Sequence, residues 1–143
     1  MHQVQLTMSV QAPAAAVWSV LSDFGGFLNW VTIDGGKIRL EGEGVGMIRH
    51  LTTPLGELGE QLTRLDHETR QLGYKVAYGE PIGMKAYEAL VTVMARNDTQ
   101  CEVTWSGNFM PADPSAVDDV KAALSSSYHN MHRALTSYTL NQS

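Results

Sequence analysis

Arg49 and Glu60 are the residues whose types and placement in this sequence point most directly to chemistry. They lie in GMIRHLTTPLGELGEQLTRLD, residues 46–66, which reads as two strands around a Thr-Pro-Leu-Gly turn. Each falls in the apolar row of its own strand. If residues 53–56 form a four-residue loop, Thr52 pairs with Glu57, Leu51 with Leu58, Met47 with Leu62, and Arg49 with Glu60. A slip of one residue would set each apolar row against the opposite face of its neighbour, so the pattern supports this register.

Isolated charges on an apolar face are expensive to desolvate, and a mutually hydrogen-bonded pair is much less so. Two readings follow. In the first the pair is structural: it satisfies itself and holds the hairpin in register while adding little net stability. In the second it is the polar end of a ligand site, with Arg49 meeting a carboxylate, carbonyl or phenolate and Glu60 serving as acceptor or base. In an enzyme, Glu60 or a tyrosine would move a proton while Arg49 stabilised developing oxyanion charge.

Other reactive side chains carry less. His129 and His132 are three apart on a helix, a spacing that suits metal ligands, but no set of His, Cys or carboxylate residues accompanies them, and no metal is expected. His50 alternates to the outside of its strand, and His67 lies in a turn. Cys101 has no identifiable base partner and cannot form an internal disulfide. The glycines of GGKIRLEGEGVG are flanked by strands on both sides, which is not the strand-to-helix arrangement of a phosphate cradle. No cofactor is expected.

The elements that must position these groups follow from periodicity. Residues 2–10 alternate, with Val4, Leu6, Met8 and Val10 on one face. APAAAVWSVLSD forms a short helix with Pro13 in its first turn, and FGGFLNW a further helical turn or two. Strands follow at 36–41, 45–52, 57–65, 71–78, 86–95 and 100–109, separated by short polar or Gly-rich turns. The chain closes on a long amphipathic helix whose stripe runs Val117, Val120, Leu124, Tyr128, Met131, Leu135, Tyr138, capped by Asp113 or Ser115. One helix of about 25 residues, near 38 Å, can cover the apolar face of a seven-stranded antiparallel sheet. Strand parity directs Leu72, Tyr74, Val76 and Tyr78, then Tyr87, Ala89, Val91 and Val93, then Val103, Trp105 and Phe109 toward that helix.

The composition fits this picture. The 143 residues suffice for a single domain spanning residues 1–143, with 43% hydrophobic and 17% charged residues. A net charge of -5 with no run of Lys or Arg argues against nucleic acid as a partner. No apolar run approaches the roughly 18 residues needed to span a bilayer. Met1 leads directly into strand alternation, leaving no room for a leader, so a cytoplasmic location is expected.

APAAAVWSVLSDFGGFLNW (12–30), GVGMIRHL (44–51), GEQLTRLD (59–66), YKVAYGEPIGMKAYEALVTV (74–93) and EVTWSGNF (102–109) together resemble the START-like, Bet v 1-like superfamily, in particular its bacterial polyketide cyclase/dehydrase-type branch. The resemblance covers nearly the whole chain. It implies an α+β helix-grip fold in which a curved sheet wraps the C-terminal helix around an apolar cavity. It also implies a partner that is a small hydrophobic or aromatic molecule, polyketide- or lipid-like. Fold alone does not choose among functions, so two alternatives stand beside ligand binding: a cyclase or dehydratase using the same cavity, and a protein with a sealed core that acts through a partner surface. Arg49 and Glu60 would supply polarity. Tyr74, Tyr87, Trp105 and Tyr128 are the candidate aromatic walls, because a ring with a polar handle gives both apolar contact and orientation, and Phe109 joins them as an apolar ring. The loop YGEPIGMKAY would border the cavity mouth, with Lys85 either reaching a substrate carbonyl, as lysines do in some condensing members, or simply solvated.

Overall fold

A computed structural model describes residues 1–142. Strand β1 (His2–Val10) is followed by α1 (Ala14–Leu21), a 3-10 turn at Phe24–Gly26 and the single turn α2 (Phe27–Trp30). Six strands come next: β2 (Lys37–Glu41), β3 (Ile48–Thr53), β4 (Gly56–Asp66), β5 (Gln71–Tyr78), β6 (Met84–Ala95) and β7 (Cys101–Pro111). The chain ends with α3 (Val117–Asn141), 25 residues long. All seven strands form one antiparallel sheet in the order β1-β7-β6-β5-β4-β3-β2. Among the described residues no helix is long and apolar enough to cross a membrane.

The sheet's inner face and α3 enclose the core. Val103, Trp105 and Phe109 of β7, Tyr87, Val91 and Val93 of β6, and Leu72 and Tyr74 of β5 are buried against Val120, Leu124, Tyr128 and Leu135 of α3. These are the alternating rows and the three-four spacing legible in the sequence. Helix α1 adds Val17, Trp18 and Leu21, and the Trp18 indole donates to His67 Nδ1 at 3.0 Å, tying α1 to the β4–β5 turn. Asp113 Oδ1 accepts from the backbone and hydroxyl of Ser115 at the entrance to α3, and these bonds hold its carboxyl below the usual range.

Three expectations are corrected. The β3–β4 loop has two residues rather than four, because Thr53 itself pairs with Gly56. Thr53 Oγ1 donates to the Gly56 carbonyl and accepts from Leu55 N, while Gly56 takes φ 124, a conformation that side chains disfavour. The register is unchanged. Second, Tyr78 does not join the inner row of β5. Pairing shifts between Gly59↔Tyr78 and Glu60↔Val76, so a bulge at Ala77 turns Tyr78 onto the outer face. Third, His132 belongs to the buried stripe of α3, four residues after Tyr128 and three before Leu135. Met131 and Tyr138 are only half-buried.

Candidate functional site

Arg49 and Glu60 are direct cross-strand partners, as the hairpin register requires. Arg49 Nε donates to Glu60 Oε1 at 2.8 Å, and Nη2 stands 2.7 Å from the same oxygen. Nη1 donates to the Phe24 carbonyl at 3.1 Å. The guanidinium carbon lies 4.0 Å and 4.2 Å from the ring centroids of Phe24 and Phe27, and 5.1 Å from that of Tyr74. A cation against aromatic faces is attracted by their quadrupoles, most strongly where water is excluded. Helix α2 and the 3-10 turn before it therefore close a sleeve around Arg49. Its donors point at Glu60 and at backbone, and its faces are covered by rings.

Glu60 is placed differently. It lines a chamber of about 140 Å³ between sheet and α3, while Arg49 stands behind it and does not reach the lining. Tyr74, Tyr87 and Tyr128 share that lining with Leu51, Met84, Leu124 and others. Both of the bonds to Arg49 run through Oε1. The carboxylate thus meets the chamber as an oriented acceptor backed by a cation.

The three tyrosines form a polar seam in an otherwise apolar wall. Tyr87 and Tyr128 share a hydrogen bond between hydroxyls at 2.5 Å, and the Tyr74 ring packs edge to face on that of Tyr87, 6.1 Å away. Burial pushes all three phenols up, Tyr128 to about 12, and the negative charge of Glu60 raises Tyr74 and Tyr128 further. They stay neutral and serve as hydrogen-bond donors and acceptors. Gly107 of β7 makes room for the seam, since a Cβ there would lie 2.2 Å from the Tyr128 hydroxyl.

The chamber leads outward. A groove of about 720 Å³ lies between α3 and residues 27–33 and shares Phe27, Ile33, Ile82, Ser127 and Met131 with the chamber, so these residues form the rim between the two spaces. Ile82 occupies the left-handed region at φ 57. A branched side chain there is strained by about 1–3 kcal/mol, and the adjacent Gly83 at φ 76 completes the tight 3-10 turn that holds it over the rim.

Of the residues singled out from the sequence, Glu60, Tyr74, Tyr87 and Tyr128 are brought together at one chamber. Trp105 and Phe109 lie outside its lining, in the core beneath it. The Trp105 indole donates to His132 Nδ1 at 3.2 Å, and His132 Nε2 is 2.9 Å from the Ser9 carbonyl, to which it donates. This places His132 as a buried clasp between α3 and β1. His129 and Lys85 are exposed. Cys101 is buried, which pushes its thiol up and suits packing rather than reactivity. Among the described residues no three His, Cys, Asp or Glu side chains are grouped to hold a metal. Sequence reasoning missed Phe24, Phe27 and Ile82. The first two were legible only as apolar positions of a glycine-broken turn, and nothing local marks Ile82 as strained.

No curated protein matches the chain significantly. Among solved structures, the XoxI protein from Bacillus cereus is 22% identical, with a TM-score of 0.84 over 99% of this chain and 98% of that one. Norcoclaurine synthase from Thalictrum flavum, solved in complex with dopamine and hydroxybenzaldehyde, is 21% identical with a TM-score of 0.80, covering 99% of this chain and 88% of its own. A protein from Thermobifida fusca is 26% identical with a TM-score of 0.72, covering 87% and 83%. The model of one family, described as polyketide cyclase / dehydrase and lipid transport, matches residues 1–138. The helix-grip fold and that match together establish that the chain belongs to the polyketide cyclase/dehydrase and lipid transport family.

Proposed function

We propose that the protein binds a small aromatic molecule bearing a hydroxyl or other hydrogen-bond donor, ring inward in the chamber and any apolar extension in the outer groove. The observation that carries this reading is the unequal placement of the ion pair: Glu60 lines the chamber and Arg49 does not. A ligand carboxylate would meet the acceptor, not the cation. The sizes agree, since an apolar cavity of about 150 Å³ accepts benzene and the chamber here is about 140 Å³. The tyrosine seam gives the ring a polar edge as well as apolar walls. Norcoclaurine synthase, solved with two phenolic compounds, offers a parallel for a ring-bearing ligand in this fold.

A second reading shares the same groups. Glu60, held by Arg49 and beside three phenols, is placed to take a proton from a chain folded into the cavity, as a cyclase or dehydratase requires. Turnover lost in Glu60→Gln with folding intact would favour it.

Toluene, p-cresol and p-toluate test the binding reading, with affinities followed by ligand-observed NMR. Toluene should bind, p-cresol about tenfold more tightly for one added hydrogen bond, and p-toluate not measurably. Equal binding of p-cresol and p-toluate would overturn the polarity assignment, and binding of none of the three would overturn the cavity reading itself.

A further inference from the structure

The outer face of the sheet carries a second constellation, separate from the chamber. His50 Nδ1 lies 2.6 Å from the Tyr78 hydroxyl, and His50 Nε2 lies 2.9 Å from Glu41 Oε1. A carboxylate only accepts, so the ring proton sits on Nε2 and points at Glu41; Nδ1 then accepts from the Tyr78 hydroxyl. Carboxylate, imidazole and hydroxyl follow one another as in a nucleophile activated by an oriented base.

Two backbone features serve this contact. The bulge at Ala77 turns Tyr78 out of the inner row. Gly59, which pairs with both His50 and Tyr78, leaves the space in which the phenol ring crosses β4; a Cβ there would lie 2.4 Å from Tyr78 Cε1. Bulges re-aim side chains in this way at functional sites. His50 and Tyr78 meet at a depression of about 300 Å³ that Lys37, Arg39 and Glu57 also line. Arg39 pairs with His50 across β2 and β3. Two cations are thus available to an oxygen that gains negative charge.

We propose that Tyr78 is a nucleophilic phenol that accepts an acyl group from activated esters, with His50 as its base and Glu41 as the positioning residue. Tyr78 Oη attacks the carbonyl carbon while its proton passes to His50 Nδ1. The new Oη–C bond replaces the bond to the leaving group, which departs with its electron pair; an alkoxide takes the proton from His50, whereas a stable aryloxide leaves as the anion and His50 gives the proton to water. The product is Tyr78 carrying the acyl group as an aryl ester.

The test uses p-nitrophenyl acetate with the intact protein, following nitrophenolate release and mapping acetylated peptides by mass spectrometry. Acetylation should localise to Tyr78 and proceed about a hundredfold faster than at Tyr138, the magnitude of general-base assistance. His50→Gln should remove that advantage, Glu41→Gln should reduce it, and Tyr78→Phe should abolish the rapid release, with circular dichroism unchanged in each. Should His50→Gln fail to fold, Glu41→Gln, at an exposed carboxylate, carries the same decision. Labelling of Tyr78 at the rate of Tyr138, or an unchanged rate in the folded His50 and Glu41 variants, would overturn the proposal.

Discussion

Arg49 and His50 are neighbours in sequence, and the two faces of the hairpin give them opposite circumstances. On the inner face Arg49 is sealed among Phe24, Phe27 and Tyr74 and bonded to Glu60, with 4% and 11% of the two side chains exposed. On the outer face His50, itself 15% exposed, bonds Glu41, whose side chain is 61% exposed. Bond lengths are alike at 2.7–2.9 Å. The difference lies in what replaces a lost partner. Water can solvate Glu41, whereas nothing in the sleeve can neutralise Glu60. The same contact distance therefore implies a large energetic coupling on one face and a small one on the other.

The largest effect should come from breaking the inner pair on one side. Arg49→Met leaves a buried carboxylate without its cation and should cost about 3–5 kcal/mol in denaturant unfolding. A loss no greater than that of an exposed pair would erase the distinction between the faces. Gly107→Ala comes next. Its Cβ would press on the Tyr128 hydroxyl and on the Tyr87 ring, and overpacking of this kind costs about 1–3 kcal/mol. Weaker p-cresol binding is expected in the same variant, since the seam must shift.

Alkaline pH extends the comparison to the phenols. Tyr74, Tyr87 and Tyr128 have raised pKa values in the fold, so above about pH 10 the unfolded chain loses phenolic protons that the native chain keeps. The unfolded state then binds fewer protons, and stability falls as pH rises from about 10, through the Tyr128 value of about 12. Below that range these groups contribute no pH dependence. Phenolate absorbance should appear in two stages, the later one coinciding with unfolding; a single stage in the folded protein would contradict the buried seam. The smallest effect belongs to the exposed end of the outer pair: Glu41→Gln should change stability by about 0–1 kcal/mol.

Much of this was legible in the sequence where a single period governs a segment. The β3–β4 register follows from the alternation of Leu51, Met47, Leu58 and Leu62, and it sets Arg49 opposite Glu60. The stripe of α3 and the rows of β6 and β7 were visible for the same reason. What escaped reading breaks the period or depends on distant packing. Tyr78 continues the apolar alternation of β5, yet an extra residue in the ladder reverses its face. The histidine at 132 counts as polar, so its place in the buried stripe was hidden until Trp105 and Ser9 supplied partners. The separate fates of Arg49 and Glu60 depended on Phe24 and Phe27, more than twenty residues upstream in the sequence, folding over one member of the pair.

The most direct test of the ligand site is a crystal structure of the protein soaked with p-cresol. The ring should lie in the chamber between Tyr74 and Leu124, its hydroxyl within hydrogen-bond distance of the Glu60 carboxylate, and Arg49 unmoved behind it. A ring confined to the outer groove, or one whose hydroxyl is held by Arg49 after the sleeve of Phe24 and Phe27 opens, would contradict this placement.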